Sequence, residues 1–276
     1  MSSPDKYAVI GHPIEHSKSP VIHRLFAEQT GEAITYEAID VPPDELNASV
    51  TRFMALGGRG LNVTVPHKQS VFNLMDECTE RAELAGAVNT VIRTEDGALR
   101  GDNTDGIGLV RDLRDNLQVE LEEVEILVLG AGGAARGILP PLAELRPDEL
   151  VVANRTLERA REIADDLADV GRIKARSYDE VEAKPFGLVV NATSAGLTGD
   201  IPPFPEHIVG PQTVCYDLSY SMRDTPFIAW AKQRGCTRSY QGWGMLVEQA
   251  AESFYLWRHV RPNTGPVRQR LPGTTD

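Results

Sequence analysis

Cysteine is scarce in this chain of 276 residues: Cys78, Cys215 and Cys236 are odd in number and far apart. With no C-x-x-C pair and no Cys/His spacing suited to zinc, neither a disulfide framework nor a metal site is expected to organise the fold. Three buried thiols in a reducing cytosol are expected instead. Lysine is also scarce, six residues against 22 arginines, and bases as a group are outnumbered, 28 Lys plus Arg facing 40 Asp plus Glu for a net charge of −12. Such a chain repels phosphate backbones and anionic bilayers, so no nucleic-acid or membrane partner is expected and a small-molecule partner is. An acidic, lysine-poor surface fits a saline cytoplasm or GC-rich coding, and composition leaves both open. Long apolar runs are missing: no stretch approaches about 18 residues, and MSSPDKYAVIGHPIEHS has no basic-then-apolar order of a secretion signal. A cytoplasmic, unanchored protein is expected.

What is present is ordinary for a globular chain, 41% hydrophobic and 25% charged, and at about 150 residues per domain the length predicts about two domains. Short β-like runs alternate with helical patterns from the start, which predicts an α/β fold. Strands are expected at Tyr7–Gly11, Ile34–Val41 and Leu61–Val65, with helices at Ser19–Gln29 and Pro43–Leu56. Ser19 before Pro20 reads as N-cap and first helical residue, and Gly31 and Gly57 close the two helices. Asn89–Arg93, the turn Glu95-Asp96-Gly97 and Leu99–Asp102 read as a hairpin, and Asp105 opens a helix. A second α/β unit begins at the apolar strand Glu125–Leu129 and continues through strands at Leu150–Ala153, Ile173–Ala175, Leu188–Asn191 and Val214–Leu218. That order predicts a doubly wound, mostly parallel sheet. A last helix from Gly242 is expected to pack back on the first domain. Residues 1–105 and 240–276 would then form one domain and 106–239 the other, with RPNTGPVRQRLPGTTD a frayed tail.

Gly130-Ala131-Gly132-Gly133-Ala134 follows an apolar strand and opens a helix. Missing side chains let the backbone approach a pyrophosphate, whose charge meets the free N–H groups at the helix start. After the next strand, where an NAD site places Asp or Glu against the ribose 2′-hydroxyl, this chain has Asn154-Arg155-Thr156, with Arg159 a turn later. Arginines attract a 2′-phosphate that a carboxylate would repel, so NADP is the expected cofactor, even though Thr156 also suits a helix cap. Asn191–Gly196, at another strand end, could line the cofactor or be a simple turn.

Four polar clusters stand in the other domain. His16–Pro20 offers the hydroxyls of Ser17 and Ser19, although Ser19 also suits capping. Asn62–Lys68 puts Asn62 and Thr64 on one strand face by period two, with Lys68 beyond Pro66. Ala85–Thr90 and Gly101–Gly106 hold Asn89 and Asp105 among small residues. Asn89 can donate and accept; Asp105 can orient Lys68 and accept from a hydroxyl, or cap a helix.

HSKSP, NVTVPHK, AGAVNTV, GDNTDG, GAGGAARG, NRT, NATSAG and GMLVEQA, in this order between about Tyr7 and Trp257, resemble the shikimate dehydrogenase family. The resemblance implies a substrate domain and a Rossmann domain with a cleft between them, and reversible NADPH-linked reduction of 3-dehydroshikimate to shikimate in aromatic amino-acid biosynthesis. It implies that Lys68 and Asp105, 37 residues apart, are the catalytic pair. It assigns Ser17, Ser19, Thr64, Asn89, Tyr220 and Gln249, with that pair, to the substrate. It assigns Gly130, Ala131, Gly132, Gly133 and Ala134 to the cofactor phosphates, and Asn154, Arg155, Thr156 and Arg159 to the 2′-phosphate. Thr193, Leu218, Gly242 and Met245 would line the adenine or nicotinamide, and Glu80 falls at a position near the cofactor, although a helical Glu is more often a solvated one. Gln241 stands where many relatives have Asp, and Leu218 where many have Met. Neither change removes a catalytic group. With no zinc cluster and no Tyr-x-x-x-Lys pair, Lys68 is the expected proton donor in reduction and base in oxidation. Altered polyol and ribose pockets with NAD and quinate, and a catalytically silent NADP-binding protein, are the competing readings; subunit number stays open, a homodimer included.

Overall fold

Tyr7 to Gly11 are apolar on both sides of the backbone, as a strand covered on both faces must be. In a computed structural model, which describes residues 3–193 and 203–271, they lie in β1 (Asp5–Gly11), inside a six-stranded sheet. Its other strands are β2 (Ile34–Asp40), β3 (Gly58–Val63), β4 (Glu77–Cys78), β5 (Thr90–Arg93) and β6 (Leu99–Asp102), in the order β2-β1-β3-β5-β6-β4. β1 runs parallel to β2 and β3, while β5 is antiparallel to β3 and β6, the hairpin that Glu95-Asp96-Gly97 turns. Helices α1 (Ser19–Thr30), α2 (Leu46–Ala55), α3 (Lys68–Phe72) and α4 (Glu80–Ala85) complete the crossovers. Ala8, Ile10, Leu46, Val50, Leu61, Val63 and Val91 form the core on one side. On the other, Tyr7, His23, Phe26, Tyr36, Phe254 and Trp257 form an aromatic cluster in which the rings of His23 and Tyr36 stack at 4.1 Å.

The second sheet is entirely parallel, as the continuous apolar strands require. Its strands are β7 (Glu125–Leu129), β8 (Glu149–Ala153), β9 (Ile173–Arg176), β10 (Leu188–Asn191), β11 (Val214–Asp217) and β12 (Arg238–Gln241), in the order β12-β11-β10-β7-β8-β9. This is a doubly wound α/β arrangement, with helices α6 (Gly133–Glu144), α7 (Leu157–Asp166) and α8 (Pro226–Gln233) following α5 (Asp105–Arg111) in chain order. Leu127, Leu129, Val151, Val189, Phe227 and Trp230 lie in its core. Helix α9 (Trp243–Arg258) and a short α10 (Gly265–Arg268) close the chain. Contacts divide the protein into two units, one running to Gly108 and including Leu246–Arg270, the other holding Leu109–Met245.

The structure corrects several local expectations. Ser19 is not the N-cap of α1: it is the first helical residue, Lys18 occupies the cap, and Ser19 N donates to Ser17 Oγ at 3.3 Å. The helix expected over Pro43–Leu56 starts as a 3₁₀ turn at Pro43–Glu45. β3 begins at Gly58 and ends at Val63, so Thr64 lies just past the strand that carries Asn62. Strands β4 and β12 have no clear alternating apolar pattern and escaped sequence reading. The described part of the tail is not frayed: Val267 of α10 is buried, and Gln29 holds the chain through Asn263 N and O. Cys215 and Cys236 are buried, whereas Cys78 is half-buried. Ser194, Ala195 and Gly196 of the strand-end turn lie outside the described residues.

Candidate active site

In the first unit β3 delivers the chain to a turn after Val63. His67, buried, fixes that turn through a 2.7 Å contact of Nε2 with Val41 O, and Lys68 then opens α3. β6, parallel to β3, runs from the same end of the sheet into Asn103 and Thr104, and Asp105 opens α5. Lys68 Nζ donates to Asp105 Oδ2 at 2.5 Å, with the lysine side chain 18% exposed and the aspartate 6%. The other oxygen, Oδ1, accepts from Asn89 Nδ2 at 2.8 Å. The carboxylate is thus held by a charged donor on one side and an amide on the other, and the ammonium keeps a path to solvent.

Asn89 ties this arrangement together through both ends of its amide. Its Oδ1 accepts from Thr104 N at 2.8 Å and Thr90 Oγ1 at 2.9 Å, while Nδ2 also reaches Thr104 Oγ1 at 2.9 Å and Gln249 Oε1 at 3.4 Å. Behind it, Asn62 Nδ2 donates to Ser253 Oγ at 2.9 Å and to Asn89 O and Thr90 Oγ1 at 3.2 Å. Tyr36 OH donates to Asn62 Oδ1 at 2.7 Å. Burial pushes the Tyr36 phenol well above its ordinary range. The polar groups of this buried network each find a partner, as a low-dielectric interior demands. Of the residues assigned by resemblance to the substrate, Lys68, Asp105, Asn89 and Gln249 meet directly, whereas Ser19 is buried at the start of α1 with its N bonded to Ser17 Oγ. Ser17 and Thr64 are half-buried in the loops that precede α1 and follow β3. Tyr220 belongs to the second unit, where its ring lies 4.5 Å from that of Trp243. Tyr36, Thr90, Thr104 and Ser253 were not singled out in the sequence. Thr90 and Thr104 sit inside quoted motifs, and Ser253 lies one helical turn after Gln249 on α9, a spacing that could have flagged it.

In the second unit β7 is followed by Gly130, whose φ of +106° is open to glycine and strained for other residues. A Cβ there would also come within 3.0 Å of Ala192 O. Gly132 occupies the cap of α6 with no side chain to satisfy the first N–H groups, and nothing lies within 4 Å of where its Cβ would stand. An open, uncapped helix start is the arrangement that receives a phosphate. At the end of β8, Asn154 Nδ2 donates to Thr156 O at 2.9 Å, and Thr156 is in the cap position of α7 without a side-chain cap bond. Arg155 and Arg159 are exposed and enter no ion pair among the described residues. Two unspent guanidiniums beside that helix start fit a cofactor with a 2′-phosphate. Thr193 donates to Asn191 Oδ1 at 2.7 Å, and Asn191 Nδ2 to the buried Asp217 at 3.0 Å. Leu218 N is tied to Asn191 O, and Gly242 lies so close that a Cβ would stand 2.3 Å from Leu218 O. Met245 is buried, with its N donating to Tyr216 OH at 3.2 Å. Gln241 turns its amide to Ser221 N and Arg223 O. Glu80 is exposed at the start of α4 in the first unit. Among the described residues no group of three or more His, Cys, Asp or Glu is placed to hold a metal ion, and no helix is long and apolar enough to cross a membrane.

Three family models match in succession: a shikimate dehydrogenase substrate-binding domain over residues 9–91, a shikimate/quinate 5-dehydrogenase over 112–198, and a shikimate 5′-dehydrogenase C-terminal domain over 242–271. The shikimate dehydrogenase (NADP(+)) of Methylococcus capsulatus is 51% identical over 98% of this chain and 97% of its own. A crystal structure of an Ael1 enzyme from Pseudomonas putida superposes with a TM-score of 0.88, at 45% identity over 97% of this chain and 98% of that one. The shikimate 5-dehydrogenase of Thermus thermophilus, solved in complex with NADP(H) and shikimate, gives a TM-score of 0.84 at 33% identity, over 96% of this chain and 97% of that one.

Proposed function

The chain belongs to the shikimate dehydrogenase family, and from that premise we propose that Lys68 and Asp105 carry its reaction, the reversible NADPH-linked reduction of 3-dehydroshikimate to shikimate. The observation that carries this reading is the 2.5 Å contact of Lys68 Nζ with an aspartate held on its other side by Asn89. Bound NADPH supplies the hydride for the carbonyl carbon. Lys68 Nζ then gives a proton to the carbonyl oxygen, and in the reverse direction takes it from the alcohol. Asp105 keeps the ammonium aimed and accepts from a neighbouring ring hydroxyl. Ser17 and Ser19 meet the substrate carboxylate, and Thr64, Asn89, Gln249 and Tyr220 meet the ring hydroxyls, so a missing hydroxyl leaves a polar partner unpaired and is discriminated against.

The cofactor is held by the Gly130–Ala134 turn and the first N–H groups of α6, with Asn154, Arg155, Thr156 and Arg159 around the 2′-phosphate. Thr193, Leu218, Gly242 and Met245 line its bases, with Glu80 nearby. Residues 1–105 with 240–276 form the domain that carries the catalytic pair and most substrate contacts, and 106–239 the domain that carries most cofactor contacts, in a cytoplasmic enzyme. The test is the rate of NADP+ reduction with shikimate, compared with NAD+ and with quinate. Shikimate with NADP+ is expected to dominate; equal rates with NAD+ and quinate would replace this reading with a broader quinate/shikimate activity, and no reduction with any pair would end it.

A further inference from the structure

Arg81 stands next to Glu80 on α4 and touches neither Lys68 nor Asp105. Its guanidinium sets Nε 2.5 Å from Asp102 Oδ1 and Nη2 2.9 Å from Asp102 Oδ2, a bidentate fork. Asp102 is 1% exposed and lies at the end of β6, three residues before Asp105. Its carboxylate also accepts from Thr79 Oγ1 at 2.8 Å and Asn103 N at 2.7 Å. Arg81 Nη2 reaches Glu252 Oε1 of α9 at 3.5 Å, and Arg261 Nη1 donates to the second oxygen of Glu252 at 2.9 Å.

Two paths lead from this fork to the proton-transfer pair. Along the loop, Asn103 Nδ2 donates to Ala87 O at 2.9 Å while its Oδ1 accepts from Asp105 N at 3.1 Å, which sets the backbone of the catalytic aspartate. Along α4, the chain turns at Gly86 into Val88, whose N donates to Lys68 O at 2.9 Å, and then into Asn89. One guanidinium therefore couples the segment that holds the Lys68 backbone to the loop that carries Asp105.

We propose that Arg81 is a positioning residue for the Lys68–Asp105 pair, acting through the buried carboxylate of Asp102. This rests on the functional reading above and names a further residue that serves it. A buried ion pair adds little net stability over an apolar replacement of the same shape, but it fixes geometry, and the planar fork fixes two atoms at once where a lysine would offer a point charge. Displacing catalytic groups by about 1 Å costs turnover on the order of 100-fold.

The experiment compares wild type with Arg81→Lys, Arg81→Ala and the double variant Arg81→Ala/Asp102→Asn, which removes the carboxylate that the single alanine change would strand. For each, kcat and KM for shikimate, the pH profile of kcat, NADP+ binding and the melting temperature are measured, with and without added guanidinium. In Arg81→Lys and in the double variant, kcat is expected to fall about tenfold or more while the shikimate KM stays within about threefold and NADP+ binding is unchanged. The pH at which kcat is half-maximal should move by about half a unit or more, because the carboxylate no longer stands at fixed distance from the ammonium. Guanidinium should restore part of the kcat of Arg81→Ala. A kcat within about twofold of wild type in a folded variant, or loss of activity only in proportion to unfolded protein with the pH profile unmoved, overturns the proposal. Wild type lacking shikimate-dependent NADP+ reduction would instead overturn the functional reading itself.

Discussion

Lys68 combines the two properties a proton carrier needs: its ammonium is partly open to solvent, and it is fixed by a single strong contact to Asp105. Replacing it by alanine removes the only group assigned to move the proton. kcat for shikimate oxidation is therefore expected to drop about 10²- to 10⁴-fold with little change in the shikimate KM. Steady-state rates across the pH range check this, and near-normal turnover at every pH would discard Lys68 as proton carrier. Arg155 and Arg159 work by charge alone, both exposed and unspent among the described residues. Changing both to alanine should lower the ratio of kcat/KM for NADP+ over NAD+ by about tenfold or more, the size of a lost charged hydrogen bond. Titration with both cofactors measures it, and an unchanged ratio would move 2′-phosphate recognition elsewhere.

Among the elements, α9 has two tasks. Gln249 and Ser253 on one face enter the Asn89–Asn62 network, and Trp257, one helical turn after Ser253, donates from Nε1 to Val91 O at 3.0 Å. That last contact is admitted by Gly60 on β3. A Cβ there would stand 2.4 Å from Trp257 Nε1 and 2.7 Å from the carbonyl of Val91, which belongs to the sheet backbone and cannot turn aside. Gly60→Ala should cost about 1–3 kcal/mol of stability by overpacking, read from urea unfolding, and should lower activity by shifting α9 against the sheet. A stability equal to wild type would show that α9 can yield at this point.

For the molecule as a whole, the dependence of stability on acid is governed in part by His23, fully buried among aromatic rings with neither ring nitrogen hydrogen-bonded. Burial lowers its pKa to about 3 from the ordinary 6.5. The unfolded chain therefore binds a proton below about pH 6.5 that the folded chain refuses, and stability present at neutral pH is lost as pH falls from there toward about 3. Between about pH 7 and pH 5 this group alone should remove about 2 kcal/mol. His23→Phe should flatten that part of the profile, as urea midpoints of the two proteins at both pH values would show; parallel profiles would mean that the imidazole is solvated.

Much of this molecule is readable along the chain, because local rules act between near neighbours. Continuous apolar runs gave away the strands of the parallel sheet, Gly130 and Gly132 marked the open helix start after β7, and Asn154-Arg155-Thr156 marked a preference for NADP through the charge it lacks. Where local pattern was weak, reading failed: β4 is two residues long, β12 is Arg238–Gln241 with a polar composition, and α10 is four residues held by distant partners. What tertiary structure alone decided is which polar groups share one buried space. That Asn89 reaches Asp105, Thr104 and Gln249 together, that Tyr36 finds Asn62, and that Arg81 finds Asp102 depend on sheet register and on the return of α9. Side-chain identity determines what a group can donate or accept; only the fold sets the ångström distances at which a buried donor must find its acceptor.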